Sequence, residues 1–347
     1  MMHGHELTLR QRQILKAVIH DYITSGEPVG SRTIARRHLS DLSAATIRNV
    51  MADLEEVGYL SQPHTSAGRV PTDRGYRFYV DSLMQRPRLS KLDEGRIERG
   101  IRPSWGQAED LMQETSRILS DLSRYTAVVL APKLTQNTWR RIDFVLLNRE
   151  RILVVLVADS GLVQQKVIVI DEVIEQPELD RISRYLNTVL GGVTLQEVRN
   201  RIVAQMAEER DEFHQLMRRA LELSNKTMEG EEGEVYIGGA ANIARQPEFS
   251  DVKKMKEIFG AFEEKSKLVK ILDQCLARGG VRVIIGSESE IREMRELSLI
   301  ASPYRSGEHV LGVLGIVGPK RIPYERMVAL VDFTARLVSS MFTESDA

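Results

Sequence analysis

Cysteine is nearly absent from this 347-residue chain: Cys275 stands alone, which excludes an intramolecular disulfide framework and a cysteine-rich zinc site and fits a reducing compartment. Aromatic residues make up only 5%, and no strand interleaves them with basic residues, so a stacking platform for single-stranded nucleic acid is disfavoured. No apolar run approaches the roughly eighteen residues needed to span a bilayer, and the opening MMHGHELTLRQRQ lacks the apolar core of a signal peptide. The expected location is cytoplasmic, with no membrane partner. A large charge of either sign is missing as well: the formal net charge is −1, so any contact with nucleic acid must be local. Chemistry is equally sparse. No Ser/His/Asp, paired-carboxylate or metal-ligand constellation stands out, and the acidic loop from Glu229 to Glu234 lacks the ordered Asp/Asn spacing of a calcium site. Gly312, Gly315 and Gly318 are not followed by Gly-Lys-Ser/Thr and read as relief of crowding in a strand. Cys275 lies near Leu272 and Leu276 and reads as a small buried hydrophobe, and the His3/His5 pair sits at a terminus prone to fraying. The expectation is a protein that is not an enzyme and carries no cofactor or metal.

What is present is concentrated near the start. The first ninety residues hold 12 lysines and arginines against 9 aspartates and glutamates, and the remainder is acidic. Thr8 and Gln11 have capping-box spacing, and Leu15, Val18, Ile19 and Tyr22 follow at helical intervals until Gly26 and Pro28. Ser31 is read as the cap of a short second helix with Ile34, Ala35 and Leu39. Ser43 caps a third helix that Gly58 ends. Tyr59 and Leu60 start a strand, Pro63 and Pro71 bracket a basic loop, and Thr72 caps a helix with Tyr76, Tyr79, Val80 and Leu83 inward. Three helices, a hairpin and a helix are the parts of a winged helix-turn-helix, which points to duplex DNA.

The third helix separates into two faces at about 100° per residue. With Ile47 at zero, Val50, Met51, Leu54 and Val57 fall within about 80°, while Ala45, Arg48, Asn49 and Ala52 fall opposite. Ala45 permits close approach to a groove wall. Arg48 can donate two bonds to guanine, and Asn49 can pair with adenine, each contact being worth roughly 1 to 3 kcal/mol of discrimination. Ser31, Arg32, Ser43 and Thr46 lie at or near helix N-termini, where backbone N–H groups can receive phosphate oxygens. His64, Thr65, Ser66 and Arg69 form a polar wing for sugar-phosphate or the minor groove.

Beyond the head, residues 87–107 read as a charged, Pro- and Gly-interrupted linker, and 108–122 as an amphipathic helix that covers a sheet or joins protomers. TAVVLAP, RIDFVLLN, RILVVLVA and LVQQKVIVI then read as one antiparallel meander. Residues 177–230 show helical periodicity and no convincing strand. Strand character resumes at VYIGG, VRVIIG and HVLGVLGIVG, with a helix from about Val252 to Leu276 and another from Pro323 to Phe342. The fold class is α+β and multidomain.

YITSGEPVGSRTIA, SAATIRNVMADLEEVGYL, PHTSAGRVPTDRGYRFYVDSL and SPYRSGEHVLGVLGIVGPKRIPYERM closely resemble the HrcA family of heat-inducible transcription repressors; the middle of the chain, about 85–235, resembles it mainly in layout. Ile322 stands where that family often has Met. The resemblance implies a winged-helix DNA-binding domain over 1–86, a linker over 87–107, and a GAF-like antiparallel sheet domain split into 108–176 and 231–347. A helical dimerising insertion over 177–230 would divide the two parts. It implies a homodimer on an inverted-repeat operator in double-stranded DNA upstream of chaperone genes, derepressed by heat, with a GroEL-type chaperonin sustaining activity. The reading phrase falls on Ser43 to Asn49 and the wing phrase on Pro63 to Arg69. Two alternatives stay open: a ligand-sensing repressor whose GAF-like domain binds a small-molecule effector, and an enzyme carrying an accessory DNA-binding domain.

Overall fold

The computed structural model describes residues 7–64, 67–85, 88–102, 108–132, 138–159, 163–170, 173–208, 213–228, 234–249, 251–276, 280–307 and 309–343. The chain opens with α1 (Leu9–Ser25), α2 (Ser31–Arg37), α3 (Ala44–Glu56), β1 (Leu60–Ser61), β2 (Val70–Pro71) and α4 (Asp73–Phe78), which runs into one π turn, Tyr79–Leu83. It continues with α5 (Lys91–Ile101), α6 (Ala108–Ser123), β3 (Thr126–Leu130), β4 (Thr138–Asn148), β5 (Arg151–Ala158), β6 (Val163–Val169), α7 (Gln176–Val189), β7 (Val193–Thr194), α8 (Leu195–Glu208) and α9 (Phe213–Met228). The last part holds β8 (Val235–Gly238), α10 (Ala241–Ala244), α11 (Val252–Glu263), α12 (Lys265–Leu276), β9 (Arg282–Ile285), β10 (Leu297–Ser306), β11 (His309–Pro319) and α13 (Tyr324–Thr343).

Local chemistry sets the head's boundaries. Thr8 and Gln11 close a capping box on α1, and Gly26 ends that helix in the left-handed conformation, φ 72°. Gly30, not Ser31, occupies the N-cap position of α2, so Ser31 is the first helical residue and its hydroxyl caps nothing. Ser43 Oγ accepts the Thr46 N–H at 3.0 Å, and Thr72 Oγ1 accepts the Gly75 N–H at 3.1 Å. Ile14, Leu15, Val18, Ile19, Ile34, Ile47 and Leu54 are fully buried and hold the three helices together.

The expected linker contains a helix. Ser90 caps α5, and Ile97 and Ile101 are buried, with α5 packed against α6 and α13. Gly95 and Gly100 make this stretch look like coil, but Gly100 has a packing reason: a Cβ there would collide with the Ile118 side chain of α6.

The expected single meander is divided between two sheets. β3 enters a five-stranded antiparallel sheet of order β8-β3-β11-β10-β9, while β4, β5 and β6 form a second sheet of order β6-β5-β4-β7. The helices α7, α8 and α9 therefore belong with a sheet of their own, and the stretch expected to lack strands supplies β7. The larger sheet is covered on both faces. Ala127, Val129, Ile300, Leu314 and Ile316 point to the layer of α6 and α13; Val128, Leu130, Leu299, Val313 and Val317 point to that of α11 and α12. Gly312 and Gly315 lie in β11 where a Cβ would strike, respectively, the Leu130 carbonyl with the Tyr304 hydroxyl, and the Ile300 carbonyl. Cys275 is buried in the second layer, and burial pushes its thiol pKa up, the opposite of what a nucleophile needs.

In the smaller sheet, α7 takes over the edge of β4 beyond Thr138 and Trp139, the two residues that β7 pairs. Asn187 accepts the Ile142 N–H at 2.8 Å and donates to its carbonyl at 3.0 Å. Ser183 accepts from Phe144 N–H at 3.2 Å, and Gln176 accepts from Leu146 N–H at 2.8 Å while donating to the Phe144 carbonyl at 2.9 Å. Spacings of seven and four residues put all three amides and hydroxyls on one stripe of α7.

Candidate nucleic-acid interface

The faces of α3 separate as its periodicity requires. Ile47, Met51 and Leu54 are buried, Val50 and Val57 half-buried, and Ala45, Arg48, Asn49, Ala52 and Asp53 exposed. Arg48 and Asn49 thus project away from the core on adjacent positions near the N-terminal end. Ser43 is exposed but its oxygen serves the cap, and its Oγ lies 2.9 Å from Thr46 Oγ1, so these two hydroxyls hold each other as well as the helix end. On α2, Arg32 is exposed and Ser31 half-buried.

The wing is tied down at its base. Val29, between α1 and α2, pairs with Arg69 through two backbone hydrogen bonds of 2.9 Å, adding a third chain segment to the β1-β2 pair. Gly68 permits this approach, since a Cβ there would strike the Val29 carbonyl. His64 is exposed, whereas Thr65 and Ser66 lie outside the described residues. Arg69 has a different setting from the one expected for a phosphate contact. Its side chain is only 17% exposed, and its Nη2 pairs with Glu55 Oε2 of α3 at 2.8 Å. The guanidinium joins the wing to α3, a partnership fourteen residues long in sequence that no local pattern announces.

The head docks firmly on the larger sheet. Arg77 of α4 donates to both Glu288 oxygens at 2.7 and 2.5 Å and to the Val283 carbonyl at 2.6 Å. Asp73 accepts the Ser287 N–H at 2.9 Å and pairs with Lys320 at 3.1 Å. Burial raises the Asp73 pKa, but the Ser287 N–H and the Lys320 ammonium together outweigh it and leave the carboxyl below its ordinary value of 3.8. Tyr79 donates to Glu325, and the Tyr76 and Tyr324 rings meet at 5.6 Å. A cavity of about 610 Å³ lies along this seam, lined by Tyr22, Arg74, Glu248, Lys320 and Arg321 among others. Most of its charged side chains already have partners: Arg321 pairs with Glu248 and Lys320 with Asp73, and Arg74 donates to the Val57 carbonyl.

A three-helix head with an exposed polar stripe on its third helix and an anchored wing, seated on an α+β body, defines a winged-helix DNA-binding protein. Comparison narrows the class. The family model for "Winged helix-turn-helix transcription repressor, HrcA DNA-binding" matches residues 6–82, and that for "HrcA protein C terminal domain" matches 109–328. The heat-inducible transcription repressor HrcA of Geobacter sulfurreducens is 47% identical over 336 residues, covering 97% of this chain and 98% of that one. The same-named protein of Syntrophobacter fumaroxidans is 45% identical over 342 residues, covering 98% of each. A crystal structure of a hypothetical protein shares the fold with a TM-score of 0.65 at 22% identity, covering 98% of this chain and all of that one. The chain belongs to the HrcA family of heat-inducible transcription repressors, a family of DNA-binding regulators and not of enzymes. Among the described residues no helix is long and apolar enough to cross a membrane.

Proposed function

We propose that this chain represses chaperone operons in the cytoplasm as a homodimer on an inverted-repeat operator, releases it on heat stress, and relies on a GroEL-type chaperonin to regain its binding form. The observation that carries the DNA reading is the exposed stripe of Ala45, Arg48 and Asn49 on a helix whose opposite side is locked in the core. In this reading Arg48 and Asn49 contact base edges, while Ser31, Arg32, Ser43 and Thr46 lie along phosphates. His64, Thr65 and Ser66 form the wing contact, and Arg69 acts by holding the wing against α3.

Dimerisation is supported by the outward face of the smaller sheet. Val145, Leu153 and Val167 stand in one row across β4, β5 and β6, and Leu147, Val167 and Val169 are roughly half exposed or more. A row of aliphatic side chains facing water is what a second copy would cover. Two heads joined this way read two half-sites, and a separated protomer loses one of them.

Footprinting on the upstream regions of chaperone operons tests the reading. Arg48→Ala and Asn49→Ala are expected to lose discrimination at single base positions, each by roughly 5- to 150-fold, the equivalent of about 1 to 3 kcal/mol. Uniform loss across all sequences would show that neither side chain reads bases.

A further inference from the structure

In the N-terminal head, α1 and the end of α2 bring together His20, Asp21 and His38. Each offers one ligand atom, and these atoms lie within 4.8 Å of one another. His38 Nε2 is 2.7 Å from Asp21 Oδ1, and the two imidazole rings meet edge-on with centroids 5.8 Å apart. The Asp21 side chain is only 8% exposed, yet its Oδ2 has no hydrogen-bond partner; Arg37 Nη1 stands 3.7 Å away, too far to donate. A buried carboxylate oxygen that accepts no hydrogen bond, and whose ion-pair partner Arg37 is distant and 55% exposed, can take a closer cation. Beside it opens a depression of about 300 Å³ lined by Lys16, His20 and His38, the one charged wall being Lys16.

We propose that His20, Asp21 and His38 bind a divalent transition-metal ion of the zinc type. Two imidazoles and a carboxylate are a borderline N/O donor set, suited to zinc, cobalt or nickel and poorly suited to magnesium or calcium. Bonds of about 2.0 to 2.2 Å require the ligand atoms to close by roughly 1 to 2 Å, which the exposed His20 side chain can supply by a rotamer change. The metal then replaces the direct His38–Asp21 hydrogen bond with two bonds to itself, and water fills the remaining position. Such a bridge fastens the last third of α1 to the turn that leads into α3, so its occupancy stiffens the head regardless of which DNA it reads.

The test uses the full chain, free of any purification tag and carrying His3→Gln and His5→Gln, so that the terminal His pair cannot bind. Cobalt chloride is titrated while the visible ligand-field absorption is followed, then displaced with zinc chloride. One cobalt per chain is expected, with a melting midpoint that rises on binding. His20→Gln, an exposed substitution that leaves the fold intact, and His38→Gln should each weaken binding by about tenfold or more. Absence of a saturable cobalt signal, or binding indifferent to His20→Gln, overturns the proposal and leaves His38 and Asp21 as a helix clamp alone. Neither outcome bears on operator recognition, which the footprint decides separately.

Discussion

Arg69 and Glu55 make opposite predictions according to whether the arginine touches DNA or holds the wing. The pair is 2.8 Å long, with Arg69 17% and Glu55 33% exposed, and Arg69 Nε is buried without a partner. Removing Glu55 strands a mostly buried guanidinium, which for a fully buried pair costs about 3 to 5 kcal/mol. Solvent reaching Glu55 screens the pair and reduces the expected cost of Glu55→Ala to about 2 kcal/mol. Arg69→Ala leaves a carboxylate that water can reach, so about 1 kcal/mol is expected. Urea unfolding of both variants and the double variant gives the coupling. Operator titrations over a range of salt then separate the roles. If Arg69 acts through Glu55, both variants weaken binding and neither changes the salt slope. Loss of a phosphate contact lowers that slope by about 0.9 in Arg69→Ala alone. A reduced slope in Arg69→Ala with full affinity in Glu55→Ala would refute the clamp.

The Asp73 carboxyl is held below 3.8, so its contribution to stability is complete above that pH and is lost as pH falls through the lowered value. Asp73→Asn should therefore flatten the acid limb of a stability profile below about pH 4 and leave its slope between pH 6 and 8 unchanged. Val167→Asp, at a half-exposed position, should convert a dimer to a folded monomer in sedimentation, and a persistent dimer would place the interface elsewhere. Asn187→Ala leaves the Ile142 N–H and carbonyl without their side-chain partner and is expected to cost about 1 to 3 kcal/mol in urea unfolding. A change under about 0.5 kcal/mol would mean that water replaces the amide without loss.

The head was legible because its determinants are local. Thr8, Ser43 and Thr72 cap helices within three residues, and the burial of Ile47, Met51 and Leu54 follows from spacing alone. The body was less so. β10 carries little strand signal because Ser298, Ala301, Ser302 and Pro303 are turn-type residues, yet all four are buried between two helical layers. Regular strand spacing gave β4, β5 and β6 but could not say that β3 pairs with β11, nearly two hundred residues on. Arg69 shows the same limit at the site: its residue type fits a phosphate contact, and only the packing of the wing on α3 brings Glu55 to it.

The stripe of Gln176, Ser183 and Asn187 along β4 has a consequence for what heating does. A strand neighbour is held by its own backbone, but this neighbour grips through side chains that regain rotamer freedom as soon as α7 lifts. The backbone left behind is a template to which a strand of any other chain can add. Warming would thus produce a sticky molecule before it produces an unfolded one, and an aggregation-prone intermediate with exposed strand edges is the kind of species that chaperones exist to handle.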